Sequence, residues 1–193
     1  MNNYYLLLNI ITIFSTYFHI KYINQTNINE FSSLPDLIVD NIPNFSNNRI
    51  CNYIIDYMIF FWLSPVILYA NNDLKRFFYR FTSIIFFMRA LTKFFTIIPS
   101  QDNNCSNDIK NIDCYIRGYC NDKIFSGHTA LTLISLLIIV DNKLIDPNFN
   151  YLLIFSHLIY VFLILSTKNH YSVDVILSYI ITTSLYYNFK DKL

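Results

Sequence analysis

The chain has 193 residues, a formal net charge of +1, 54% hydrophobic and 18% aromatic residues, and only 14% charged residues, where a soluble domain carries about a quarter. Two glycines and five prolines exclude collagen-like and low-complexity disordered chains, and the near-zero charge excludes an electrostatic nucleic-acid binder, which needs a basic face or stripe. Abundance alone says little in a chain that over-uses Asn, Ile, Tyr, Phe and Lys, but the arrangement of the apolar residues points to a membrane. Taken in order, apolar stretches run over 4–23, 53–70, 82–98, 124–140, 151–167 and 171–187, each near the ~17–25 residues a helix needs to cross a bilayer. The segments between them are rich in Asn, Asp, Lys and Pro and read as connections. The first stretch has no Lys or Arg before it and no small-residue cleavage site, so it reads as a retained helix and not a signal peptide. Most stretches are apolar all round, which a soluble bundle with polar outer faces would not be. The expectation is one all-α domain over 1–193, a polytopic integral membrane protein with six transmembrane helices and no internal repeat.

An even number of spans puts both termini on one side. The 71–81 connection carries Lys75, Arg76 and Arg80, the 141–150 connection Lys143, and the C-terminal tail Lys190 and Lys192; the positive-inside rule makes these segments and both termini cytoplasmic. Arg49, Lys110, Arg117, Lys123 and Lys168 oppose them, most of them in two loops more than twice as long, 24–52 and 99–127, which become exoplasmic. Cys51, Cys105, Cys114 and Cys120 all fall in those loops, where an oxidising compartment would suit disulfides whose pairing the sequence leaves open. The glycosylation sequons at Asn24, Asn44 and Asn104 lie on the same side but arise easily by chance in an Asn-rich chain. The C-terminal Lys-Asp-Lys-Leu is not the Lys-Asp-Glu-Leu retention signal.

Chemistry concentrates in three segments. Ser126-Gly127-His128-Thr129 opens the fourth stretch, where a helix N-terminus offers unpaired N–H groups to a phosphate and glycine admits close approach; the plain alternative is a helix cap made by Ser126 or Thr129. His170 and Asp174, at i and i+4 in His170-Tyr171-Ser172-Val173-Asp174-Val175, share one helix face. A carboxylate there holds one imidazole nitrogen protonated and leaves the other as nucleophile or base. Spans four and six start from the same membrane face, so His128 and His170 can converge. In the third stretch Arg89, Thr92, Lys93 and Thr96 form a polar stripe at i, i+3, i+4 and i+7, and an intramembrane Arg must face a cavity or a partner. Asp56, about one turn into the second stretch, is a candidate partner for Arg89 or for a ligand cation. His157 reads as a hydrogen-bonded packing residue and His19 as interfacial. The many Phe and Tyr could form a cation–π cage, though none can be singled out.

These segments, in this order, resemble the sphingomyelin synthase family, lipid headgroup transferases related to type 2 phosphatidic acid phosphatases (PAP2). The pattern Cys-Gly-Asp-x-x-(Tyr/Phe)-Ser-Gly-His-Thr looks like Cys120-Asn121-Asp122-Lys123-Ile124-Phe125-Ser126-Gly127-His128-Thr129, with Asn121 in place of Gly. His-Tyr-(Ser/Thr)-x-Asp-Val is matched throughout by residues 170 to 175, and Arg-x-x-Thr-x-x-x-Thr-x-x-Pro by Arg89, Thr92, Thr96 and Pro99. A Pro-Leu-Pro-Asp element is similar to Ser33-Leu34-Pro35-Asp36, with Ser33 for the first Pro. The resemblance covers about 33–190. It implies a PAP2-like helical bundle whose catalytic triad is His128, His170 and Asp174, facing the exoplasmic leaflet, with a glycerophospholipid donor, commonly phosphatidylcholine, and ceramide as acceptor. Ser126, Gly127 and Arg89 would contact the phosphate. No metal or organic cofactor is implied, in keeping with the lack of a clustered His/Cys ligand set.

Two other readings stay open. Water as acceptor would make a lipid phosphodiesterase or phosphatase, although the Lys-x6-Arg-Pro element of type 2 lipid phosphatases has no counterpart, since no Arg-Pro dipeptide occurs. A non-catalytic membrane scaffold would be expected to lose a triad member, and all three are present. The short chain without an appended interaction module argues against regulation by a fused domain. Neither headgroup, organelle nor oligomeric state can be read from these motifs.

Overall fold

A computed structural model describes residues 3–25, 33–96, 98 and 124–190. All regular structure among them is helical: α1 (Asn3–Gln25), α2 (Arg49–Tyr69), α3 (Asn72–Phe95), α4 (Gly127–Asp141), α5 (Asn150–Ser166) and α6 (Ser172–Phe189), with short 3-10 turns at Val39–Asn41 and Pro147–Phe149. Each predicted stretch contains or overlaps one of these helices. Two boundaries move. Asn48 caps α2, its side-chain oxygen accepting from the N–H groups of Ile50 and Cys51, so α2 starts four residues before the predicted 53. The larger correction concerns 71–81, read as a connection. Asn71 caps α3 by accepting from Leu74 N–H at 2.8 Å, and Lys75, Arg76 and Arg80 sit on the first turns of the helix itself. Charge in that stretch mimicked a loop, but a capped helix end carries long cationic side chains at no cost to its backbone bonds.

α4 occupies the middle of the bundle, packing against α2, α3, α5 and α6, while α1 packs on α3. Asn9 Nδ2 donates to Tyr79 Oη at 2.8 Å and the Arg80 guanidinium lies 5.6 Å from the Tyr5 ring centre. The centrality of α4 follows from its side chains: Thr129, Thr132 and Ser135 are fully buried, and small residues let neighbouring helices approach closely. Their hydroxyls do not strand polar atoms, because Thr132 donates to His128 O at 2.9 Å and Ser135 to Leu131 O at 2.9 Å.

Polarity is arranged inside out. Arg89, His157, His170, Asp174, Ser178 and Thr182 are buried, while Phe14, Phe60, Phe61, Phe155, Leu158 and Ile180 stand on the surface. Water would penalise that surface, and hydrocarbon would not. Two helices, Arg49–Tyr69 and Pro147–Ser166, are long and apolar enough to cross a membrane, and only 17% and 28% of their most apolar windows are buried. A core helix of a soluble protein would pass the same length test but would be mostly buried, so the outward-facing apolar surface carries the conclusion that this is a membrane protein. Tyr4–Phe18 and Gly127–Asp141 are shorter apolar helices.

Candidate active site

The site lies where α4 begins, and that end is built by local capping. Ser126 accepts from Thr129 N–H at 3.3 Å and from the Thr129 hydroxyl at 2.9 Å, so the side chain of Ser126 closes the helix end. Its own N–H donates to Ser178 Oγ on α6 at 2.9 Å. Ser178 in turn donates to Asp174 O at 2.7 Å, with Ser126 O 3.2 Å away. One serine hydroxyl thus joins the start of α4 to the first turn of α6. Sequence reasoning missed it; the signal was a small polar residue one turn beyond Asp174 on the same face.

Asp174 works twice. Its Oδ2 accepts from Tyr171 N–H at 2.9 Å, closing the N-terminus of α6, and lies 3.4 Å from His170 Nδ1. The two side chains are 6% and 1% exposed. A carboxylate at Nδ1 favours the tautomer that keeps the proton there, so the lone pair resides on Nε2. His128 faces a second carboxylate: its Nε2 is 4.0 Å from Asp56 Oδ1 on α2. Asp56, expected as a partner of Arg89 or of a ligand cation, also stands beside a histidine.

Arg89 is buried on α3 and reaches across to α4. A Cβ built on Gly127 would come within 2.6 Å of Arg89 Nη1, so the missing side chain makes the space that the guanidinium uses. In any α-helix the N–H groups of the first residues, here Gly127 and His128, lack intrahelical acceptors. A cation and a helix N-terminus thereby meet at one point, an arrangement suited to phosphate oxygens. The two threonines of the α3 stripe bond back to their own helix: Thr92 Oγ1 donates to Arg89 O at 2.8 Å and Thr96 Oγ1 to Thr92 O at 2.6 Å.

His157, expected to be hydrogen-bonded, has no partner for either ring nitrogen among the described residues. It is wedged edge-on between Trp62 and Tyr179, ring centres 5.5 and 5.6 Å away, because its neighbours in mid-helix offer rings and not acceptors. Cys51 is half-buried and has no disulfide partner among the described residues. Pro99, residues 101–123 with Cys105, Cys114, Cys120, Asn104 and Asn121, and the side chains of His19, Asn24 and Lys93 lie outside the described residues.

A helical bundle that ties the helix end bearing Gly127, His128 and the adjacent Arg89 to the turn bearing His170 and Asp174 defines a candidate active site in a membrane protein. The model of the "PAP2 superfamily C-terminal" family matches residues 119–192, which hold α4 to α6. The chain is 27% identical over 184 residues to Sphingomyelin synthase-related protein 1 of Mus musculus and to that of Homo sapiens, covering 81% of this chain. It is 26% identical over 116 residues to Phosphatidylinositol:ceramide inositolphosphotransferase of Trypanosoma cruzi (strain CL Brener), covering 53% of this chain and 35% of the relative. The family-model match and these relatives support a sphingomyelin synthase and PAP2-like family for the chain. It spans about two fifths of the length of the mouse and human relatives, 37% and 43%.

Proposed function

We propose that the protein is a six-span membrane enzyme that transfers a phosphorylated headgroup, phosphocholine or a related one, from a glycerophospholipid to ceramide. The products are sphingomyelin or its analogue and diacylglycerol. The observation that carries this reading is the buried His170–Asp174 pair, 3.4 Å apart, hinged through Ser178 to the helix end that bears His128. His170 Nε2 attacks phosphorus and the bond from phosphorus to the diacylglycerol oxygen breaks, leaving the headgroup phosphate on nitrogen. His128, oriented by Asp56, protonates the departing oxygen and then takes the proton of the ceramide hydroxyl. That oxygen attacks phosphorus, the P–N bond breaks and His170 is restored. Arg89 and the N–H groups at the start of α4 stabilise charge on the phosphoryl oxygens, while Ser126 shapes that start through its cap.

The active site is read as exoplasmic. Supporting this, Lys75, Arg76, Lys143 and Lys190 belong to the opposite end of the helices that carry the site, where Lys190 Nζ meets Asp141 at 3.2 Å, as the positive-inside rule requires of a cytoplasmic face. The inositolphosphotransferase relative makes phosphatidylinositol a donor to test beside phosphatidylcholine and phosphatidylethanolamine. Each is incubated with fluorescent ceramide and the protein in detergent or liposomes, with His170→Ala as control. A ceramide-derived phospholipid that vanishes in the variant is the expected result, and the productive donor names the headgroup. Diacylglycerol release without labelled product would mean that water is the acceptor and the protein a lipid phosphodiesterase. Folded protein inactive with every donor would favour a scaffold.

A further inference from the structure

The segment from Ser33 to Asn48 supplies no reacting group in the mechanism above, yet it is bonded along the turn that carries His170. Leu34 N–H donates to Tyr171 Oη at 3.1 Å and Phe45 N–H to Ser166 O at 2.7 Å. Lys168 Nζ donates to Val39 O at 2.7 Å and lies 3.8 Å from Asp40 Oδ1. At the centre is Asp36, 7% exposed. Its Oδ1 accepts from Ile38 and Val39 N–H, both at 3.0 Å, closing a turn in its own segment. Its Oδ2 accepts from Ser172 N–H at 2.6 Å, and the Ser172 hydroxyl is 2.9 Å from both oxygens.

Ser172 is the first residue of α6. The N-terminus of α6 is therefore closed by two carboxylates: Asp174 holds Tyr171 N–H from within the helix and Asp36 holds Ser172 N–H from outside it. Those consecutive peptides fix the direction in which the chain leaves His170. Turning either would swing the imidazole away from Asp174. Asp36 stays ionised throughout the working range: burial alone would raise its pKa, but the N–H groups of Val39 and Ser172, the Ser172 hydroxyl and the Ile38 N–H outweigh burial and hold it below 3.8. Because the folded pKa is the lower one, the stabilisation is complete above the unfolded value and is lost only as pH falls through the folded value.

We propose that Asp36 is a positioning residue for His170: by bonding Ser172 it locks the start of α6 and keeps the His170 ring against Asp174. The proposal rests on the reading of His170 as nucleophile. Its test also needs a readout without substrate. The charged and titratable groups of the site and of this segment are Asp174 and Tyr171 next to His170 in sequence, Asp36, Asp40 and Lys168 at the contacts of the Ser33–Asn48 segment, and Asp56, Arg89 and His128 on α2, α3 and α4.

The experiment compares full-length wild type, Asp36→Ala, Asp36→Asn and Ser172→Ala in detergent. Asparagine keeps an acceptor for the local turn, so Asp36→Asn loses the cap with least harm to folding. His170 modification by diethyl pyrocarbonate is followed against pH by peptide mass spectrometry, beside kcat and KM for headgroup transfer. Asp36→Ala and Asp36→Asn should lower kcat about 30-fold with KM within about twofold, since misplacing a reacting group costs rate more than binding. The midpoint of His170 modification should fall by roughly half a pH unit or more, because a carboxylate near an imidazole favours its charged form. Ser172→Ala, which keeps the N–H bond, should change both less. An unmoved midpoint, with kcat either normal or falling only with thermal stability, overturns the proposal. If wild type transfers no headgroup yet the midpoint still moves, the positioning role stands and the transferase reading fails.

Discussion

His170, two residues before α6, and Asp174, in its first turn, lie four residues apart in sequence and 3.4 Å between Nδ1 and Oδ2, with only 6% and 1% of the side chains exposed. His128 meets Asp56 from a different helix, at 4.0 Å, and the side chains are 18% and 24% exposed. A local pair across a helix's N-terminus is held by the short chain between its members and by Tyr171 N–H on Asp174. A pair across two helices depends on how α2 and α4 pack, and its greater exposure leaves room for a leaving group or an incoming hydroxyl. The difference suits the two roles proposed for them: a nucleophile that must not move, and an acid–base that must meet two different oxygens in succession.

The sharpest way to break this division is to neutralise each carboxylate in turn. Asp174→Asn should lower kcat on the order of 10³–10⁴-fold, the scale seen when an amide replaces a carboxylate behind a catalytic imidazole and the wrong tautomer results. Steady-state headgroup transfer measures it, and a loss under tenfold would remove Asp174 from the mechanism. Asp56→Asn should cost less, about 10–100-fold, because general acid–base transfer contributes roughly 10²–10⁴-fold and His128 itself remains. Equal losses from the two variants would erase the distinction between a fixed and a movable histidine.

A third substitution separates the site from the fold. Gly127→Ala places a methyl where Arg89 Nη1 now lies, 2.6 Å from the added carbon. The atom met is the far end of a flexible side chain, so the helix tolerates the change while the guanidinium is displaced. Activity should fall about tenfold, the scale of a lost ~1.4 kcal/mol interaction in the transition state, with the thermal midpoint in detergent nearly unchanged. A variant that unfolds instead would show that Gly127 serves packing and not the placement of Arg89.

How much of this was legible follows from the reach of each interaction. The helices announce themselves through local apolar runs, and His128, His170 and Asp174 stand in short contiguous motifs. The cap on α3 hid behind Lys75, Arg76 and Arg80, which resemble a loop when burial is unknown. Ser178 joins residues 52 positions apart and Asp36 joins residues 136 apart, and no periodicity within one helix encodes such pairings. Asp56 was visible as a costly intramembrane carboxylate, but its approach to His128 depends on the rotation of α2 about its axis, which the sequence does not encode.

His157 supplies the smallest expected effect and the clearest contrast with the paired histidines. It is 2% exposed, and among the described residues neither ring nitrogen has a hydrogen-bond partner. Trp62 and Tyr179 meet it edge to face, contacts that depend on an aromatic outline and not on a proton. Replacing a buried polar group that makes no hydrogen bond by an apolar group of similar shape is close to neutral or stabilising. His157→Phe should therefore shift stability by no more than about 0.5 kcal/mol in either direction, allowing for the slightly larger ring in a packed core. kcat should stay within twofold, since His157 takes no part in the proposed mechanism. Thermal unfolding in detergent and the ceramide transfer assay measure the two quantities. A loss of activity in a stable His157→Phe protein would make this imidazole a third working histidine, and the division of labour between His128 and His170 would no longer be complete.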